Sequence, residues 1–155
     1  KGHGDQELIN ILSKVQGKFK NKNEKFNMLK KLIKIGNVNY ALANTYQERA
    51  KNSFDNGELN EALNYYNQAL SLDSEEYSYY ENIGLIYFKL DNYELALENF
   101  NKVINFFPTN AGKSLFYKAI IILDSGKEDE MCVLLRKSLS NDFKPAKDLL
   151  KKYCN

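Results

Sequence analysis

The chain has very little of what enzymes use for chemistry. It carries one histidine, His3, within the first few of its 155 residues, together with two cysteines and no tryptophan. A histidine-based triad or a His-rich metal site therefore has no residues to build it. Cys132 and Cys154 show no CxxC or Cys/His spacing, so the sequence implies neither a metal site nor a disulfide framework. Only two prolines and eight glycines are present, too few for collagen-like or low-complexity character. No apolar run reaches the roughly 18 to 20 residues that span a bilayer. No signal peptide is visible at the start, and the compartment is left open.

What is present is helix-forming and unevenly charged. The net charge is +2, but residues 1–40 carry nine lysines against three acids. Residues 41–110 carry four basic against eleven acidic groups, and residues 111–155 nine against six. Such segregation suits oppositely charged partners, or simply solvated faces that neutralise one another across the fold. A chain of this length is expected to form one cooperative unit. Residues 1–4, Lys1-Gly2-His3-Gly4, read as a disordered start or a cloning scar and are set aside.

An internal period organises the rest. From Tyr77 onward, Tyr80, Ile83, Gly84, Tyr87, Ala96, Phe100 and Pro108 fall at the positions of a W-x2-L-G-x2-Y…A-x3-F…P pattern, with Tyr in place of Trp. Gly84 and Ala96 are the small residues where two helices cross. Tyr80, Ile83 and Tyr87 form an apolar stripe expected to face Phe100, Val103 and Ile104, and Pro108 closes the second helix. Thirty-four residues upstream, Tyr46, Ala50, Ala62, Tyr66 and Ala69 repeat the register, with Gly57 at the turn. In that copy Arg49, Ser53 and Ser74 replace the expected Leu, Tyr and Pro. Downstream a third copy slips by one residue, with Leu115, Ala119, Ile122, Gly126 and Leu135 in place and Met131 and Phe143 where Ala and Pro are expected.

This pattern resembles the tetratricopeptide-repeat (TPR) family. The resemblance implies an all-α, right-handed superhelical solenoid of antiparallel helix pairs, the first helix of each pair lining a concave groove. The organisation expected is an N-terminal helical hairpin over 5–36, read as a degenerate repeat; repeats over 43–76, 77–110 and, degenerate, 112–145; and a capping helix over 146–155. That last helix would carry Leu149, Leu150 and Tyr153 on its apolar side and cover the open hydrophobic edge, as solenoids require.

The resemblance also supplies candidate ligand positions on the first helices. They give a peptide-binding set of Gln47, Lys51 and Phe54, then Asn82, Leu85, Phe88 and Lys89, then Lys113, Phe116, Tyr117 and Ile120. Phe54, Leu85, Phe88, Phe116 and Ile120 are candidate apolar anchors, and Asn82 and Lys113 candidate hydrogen-bonding groups. The alternative is that the aromatic members simply pack between neighbouring repeats. A TPR subclass clamps C-terminal carboxylates with Lys, Asn, Asn, Lys and Arg. Asn82 and Lys113 match that set, while Gln47, Lys51 and Tyr117 depart from it, so the clamp is not supported.

Other candidates for chemistry have plainer readings. Glu75-Glu76 and Asp129-Glu130 lie at expected helix starts, where acids favour the macrodipole. Gly112-Lys113-Ser114 lacks the first glycine of a phosphate loop, since residue 107 is Phe, and reads as a helix start. Asn92 is expected to be exposed and tolerant of substitution. The sequence thus predicts no catalytic residues, metal or cofactor, and a protein-interaction module or scaffold with another protein or peptide as partner. The alternatives are binding of an anionic polymer or membrane surface through the lysine-rich N-terminal hairpin, or an accessory domain of a longer protein.

Overall fold

The computed structural model describes residues 39–154. The expected hairpin over 5–36 and its lysines lie outside the described residues. Among those described, the chain is helical throughout, with no strand. Seven α-helices follow one another: α1 (Asn39–Asp55), α2 (Leu59–Leu72), α3 (Tyr77–Lys89), α4 (Tyr93–Phe106), α5 (Gly112–Ile121), α6 (Glu128–Ser140) and α7 (Ala146–Tyr153). Short 3-10 turns at Pro108–Asn110 and Leu123–Ser125 follow α4 and α5. The chain divides into two compact units, residues 1–74 and 75–155.

In the first unit α1 packs on α2. The small or slender residues at the crossing, Ala43, Ala50, Ala62 and Ala69, are fully buried, and Tyr46 and Tyr66 are buried beside them. Two of the three polar departures from the repeat pattern, Ser53 and Arg49, find partners across the pair. Ser53 is buried and donates to Glu61 Oε2 at 3.3 Å. The Arg49 guanidinium reaches the Tyr65 hydroxyl at 3.5 Å and lies 5.7 Å from that ring's centroid, so its stem covers apolar surface while its head stays polar. The turn to α2 needs Gly57, whose φ of 80° lies in the left-handed region.

In the second unit α3 packs on α4, α4 on α5, α5 on α6 and α6 on α7, so that each helix covers the next. Glu76 caps α3 by accepting from the Ser78 amide at 3.0 Å, and Asn92 caps α4 by accepting from the Leu95 amide at 3.2 Å. Asn92 is thus a cap rather than the indifferent surface position the sequence suggests. Pro108 opens the 3-10 turn after α4. Asn141 fixes that turn by donating to the Pro108 carbonyl at 2.7 Å. At the third turn Gly126 has φ 74°.

The α3/α4 crossing is built around Gly84, Ala96 and Phe100, all buried. The expected apolar stripe of Tyr80, Ile83 and Tyr87 packs here, and Tyr79 beside it is enclosed more deeply. Tyr79 is the aromatic residue of α3 that is fully enclosed, at 1% exposure. Tyr80 is half-buried against Val103, Ala111 and Leu115, with the Lys102 ammonium 5.7 Å from its ring centroid. Ile83 is buried as expected, and Tyr87 is half-buried at the edge of the Leu85, Ala96 and Phe100 cluster.

The last three helices enclose Ala119, Met131, Cys132, Leu135 and Ala146, with Leu149 and Leu150 of α7 packed on them. Met131 fills the place where alanine is expected and is 1% exposed. A disulfide joins Cys132 on α6 to Cys154 just after α7, with a Cα–Cα distance of 5.7 Å. The cysteine spacing gives no hint of it, because the pairing depends on α7 folding back along α6. Ser138, also fully buried, donates to the Gly112 carbonyl and ties α6 to the start of α5.

Candidate functional site

The candidate ligand positions fall on three helices. Gln47, Lys51 and Phe54 lie on α1 of the first unit; Lys51 is exposed, Gln47 and Phe54 half-buried. The other eight belong to the second unit, on α3 and α5. Because these two helices are in contact, their side chains form one continuous wall.

The apolar members of that wall are already engaged with one another. Leu85 is 8% exposed and belongs to the core cluster with Ala96 and Phe100, which corrects its expected role as an open anchor. Phe88, Tyr87, Tyr117 and Ile121 pack against the same cluster. Tyr117 stacks on Phe100 with centroids 5.8 Å apart and takes Phe88 and Phe116 edge-on at 5.1 and 5.5 Å. Phe116 also meets Phe143 at 5.1 Å. Such edge-to-face contacts match the quadrupoles of the rings and hold them in place. Phe88, Phe116, Tyr117 and Ile120 each remain partly accessible, and Lys89 is exposed at the end of α3.

The polar centre of the wall is Glu81, which sequence reasoning does not single out. Its side chain is only 12% exposed, and Lys113 of α5 holds one carboxylate oxygen at 3.5 Å, itself 31% exposed. Ser114, fully buried, donates to the other oxygen at 3.3 Å. Burial pushes the Glu81 carboxyl above its ordinary value, an effect the nearby Lys113 charge and the two hydrogen bonds only partly oppose. The phenol of Tyr117 is raised as well, first by burial and then by the Glu81 charge. Glu81, Lys113, Ser114 and Tyr117 therefore form one electrostatic group. Asn82, next to Glu81, is half-buried on the same helix.

The acidic pairs lie at helix starts. Glu76 is the α3 cap, and Asp129 and Glu130 fall in the first turn of α6. Among the described residues no group of His, Cys, Asp and Glu could hold a metal ion, and no helix is long and apolar enough to cross a membrane.

One family model, described as a TPR repeat, matches residues 52–91, and one described as a tetratricopeptide repeat matches residues 77–110. Residues 52–110 are thus matched by tetratricopeptide-repeat models. The chain has the fold of the TPR solenoids. It is similar to the Arabidopsis OM64 TPR domain, with a TM-score of 0.64 and 19% identity over 74% of this chain and 98% of that one. It also resembles MamA, with a TM-score of 0.61 and 20% identity over 92% of this chain and 80% of that one. The first TPR domain of Spaghetti (RPAP3), solved bound to the HSP90 peptide SRMEEVD, gives a TM-score of 0.57 and 17% identity over 70% of this chain and 93% of that one. No curated protein matches the chain by sequence.

Proposed function

We propose that this chain is a protein-interaction module, and that the wall formed by α3 and α5 is where it holds a peptide segment of its partner. The repeats support a role in protein interaction in general, and the RPAP3 domain of similar fold carries a peptide. The observation that carries the more specific reading is the composition of the wall. Rigid, partly accessible rings at Phe88, Phe116 and Tyr117 stand beside the polar group of Glu81, Asn82 and Lys113. Packed aromatic residues offer large contact area at low entropic cost, and a few polar groups then fix register and direction. The carboxyl of this wall whose ionisation burial disfavours, Glu81, faces a lysine and a serine rather than a nucleophile with a base, which supports a binding role.

A single short segment on such a wall would bind with about micromolar affinity, near −8 kcal/mol, because ordering an extended peptide offsets much of the contact energy. The test is selection of 12-residue peptides from a random display library on the immobilised chain, followed by fluorescence anisotropy of the winners. Asn82→Ala combined with Lys113→Ala should weaken binding at least tenfold with an unchanged helical signal. Lys137→Ala, an exposed site on α6, should leave it unaltered. Equal affinities for all three proteins would refute the assignment of the wall.

A further inference from the structure

We propose that Glu81 determines what the wall accepts: it selects a partner segment that brings an arginine or lysine side chain to α3 and α5, and it rejects one that presents a carboxylate there. The inference rests on the peptide-binding reading above and deepens it.

Three observations on geometry lead to it. First, among the described residues the lysine that pairs with the Glu81 carboxylate, Lys113, does not close on it. A charge-assisted N–H···O bond settles at about 2.7 to 2.9 Å, whereas Lys113 Nζ stands at 3.5 Å and Ser114 Oγ at 3.3 Å. The carboxylate is thus buried among donors that satisfy it loosely, and it retains capacity to accept from a further cationic donor. Secondly, Lys113, which on its own would attract a chain terminus, has that carboxylate as its neighbour. An incoming carboxylate at Lys113 would lie beside Glu81 in a poorly solvated setting, where like charges repel more strongly than in water. Thirdly, Lys113, Ser114 and Tyr117 share one face of α5, at i, i+1 and i+4. The partly accessible ring of Tyr117 therefore flanks the approach to Glu81 and presents its negative π-system to a cation. The Tyr117 phenol is held above its ordinary value, first by burial and then by the Glu81 charge, consistent with a negative potential spreading over this patch.

The same arrangement accounts for the sequence matching a carboxylate clamp at Asn82 and Lys113 without becoming one. The positive charge needed for a terminal carboxylate is already shared with Glu81.

The probes are octapeptide mixtures, acetylated and amidated so that they carry no terminal charge. One central position is fixed as Arg, Glu or Gln, and the others are drawn from Leu, Ser, Ala and Tyr. Anisotropy measures their affinity for the chain, for Glu81→Gln and for Lys113→Met. On the unaltered chain the Arg mixture should bind at least tenfold more tightly than the Glu mixture. In Glu81→Gln, nearly isosteric and expected to fold, that ratio should fall towards one. In Lys113→Met, where the carboxylate loses its internal competitor, it should rise even if absolute affinity drops. Tighter binding of the Glu mixture, or an Arg preference that survives Glu81→Gln, would overturn the role given to Glu81 while leaving the wall as the binding site. Failure of every mixture to bind would overturn both.

Discussion

Gly84 and Phe100 meet so closely that a Cβ built on Gly84 would lie 2.6 Å from Phe100 Cε1. No real Cβ tolerates that approach, so the absence of a side chain at Gly84 sets how near α3 and α4 can come. Gly84→Leu should therefore destabilise the protein by roughly 1 to 3 kcal/mol or more through overpacking, and Gly84→Ala by less. Asn67→Leu, on the exposed side of α2, should change stability by under about 0.5 kcal/mol. Urea unfolding monitored by circular dichroism checks this. Equal midpoints for the Gly84 and Asn67 variants would mean that the helices do not cross there.

The cap at Asn92 gives a second expectation. Its side-chain oxygen satisfies the Leu95 amide, so Asn92→Ala should cost about 1 kcal/mol, while Asn92→Asp or Asn92→Ser should retain most of the stability. The same unfolding assay separates capping from indifference.

The disulfide ties α7 to α6 across a separation of 22 residues. Closing a loop of that length removes entropy from the unfolded chain worth about 3 kcal/mol. Reductant should lower the unfolding midpoint of the native chain, and Cys154→Ser should show the lowered midpoint with or without reductant. A native chain indifferent to reductant would show that the bond is not formed or carries no stability.

Stability should also depend on pH through Glu81. Its folded carboxyl titrates above the ordinary value of 4.5 because burial disfavours the charge. Over the window between 4.5 and that raised value the folded state holds the proton more than the unfolded state does. Stability from this group therefore falls as pH rises through the window and is recovered on acidification. Glu81→Gln, which is never charged, should be at least as stable as the native chain at pH 7, and its advantage should shrink as the pH is lowered through the window. A variant clearly less stable at pH 7 would mean that the Lys113 contact outweighs desolvation.

The fold was legible because its determinants recur in sequence. Ala62 and Ala96 stand one period apart, and Gly84 must be small for the same steric reason in any copy. The face of α3 was harder to fix. Tyr77, Tyr79 and Tyr80 crowd one turn, and at about 100° per residue an aromatic stripe can be drawn through either of the last two; Tyr79 is fully buried, while Tyr80 is half-buried against Val103, Ala111 and Leu115. Leu85 follows from the same cause: Gly84 brings Phe100 so near that the adjacent leucine is covered too. The partners of Glu81 were hidden because Lys113 and Ser114 belong to another helix pair, and no periodicity encodes a polar contact between pairs. The Cys132–Cys154 bond was hidden likewise, since it depends on where α7 docks.

The central claim is that a peptide is held on the wall of α3 and α5. The most direct measurement is an NMR titration of the 15N-labelled chain with the tightest library-selected peptide, followed through the backbone amides. Saturable shifts concentrated at Glu81, Asn82, Lys113, Tyr117 and Ile120, with little change at Lys102 on α4 or Arg136 on α6, are the predicted result. Saturable shifts that instead gather on α6 and α7, or on residues outside the second unit, would contradict the account.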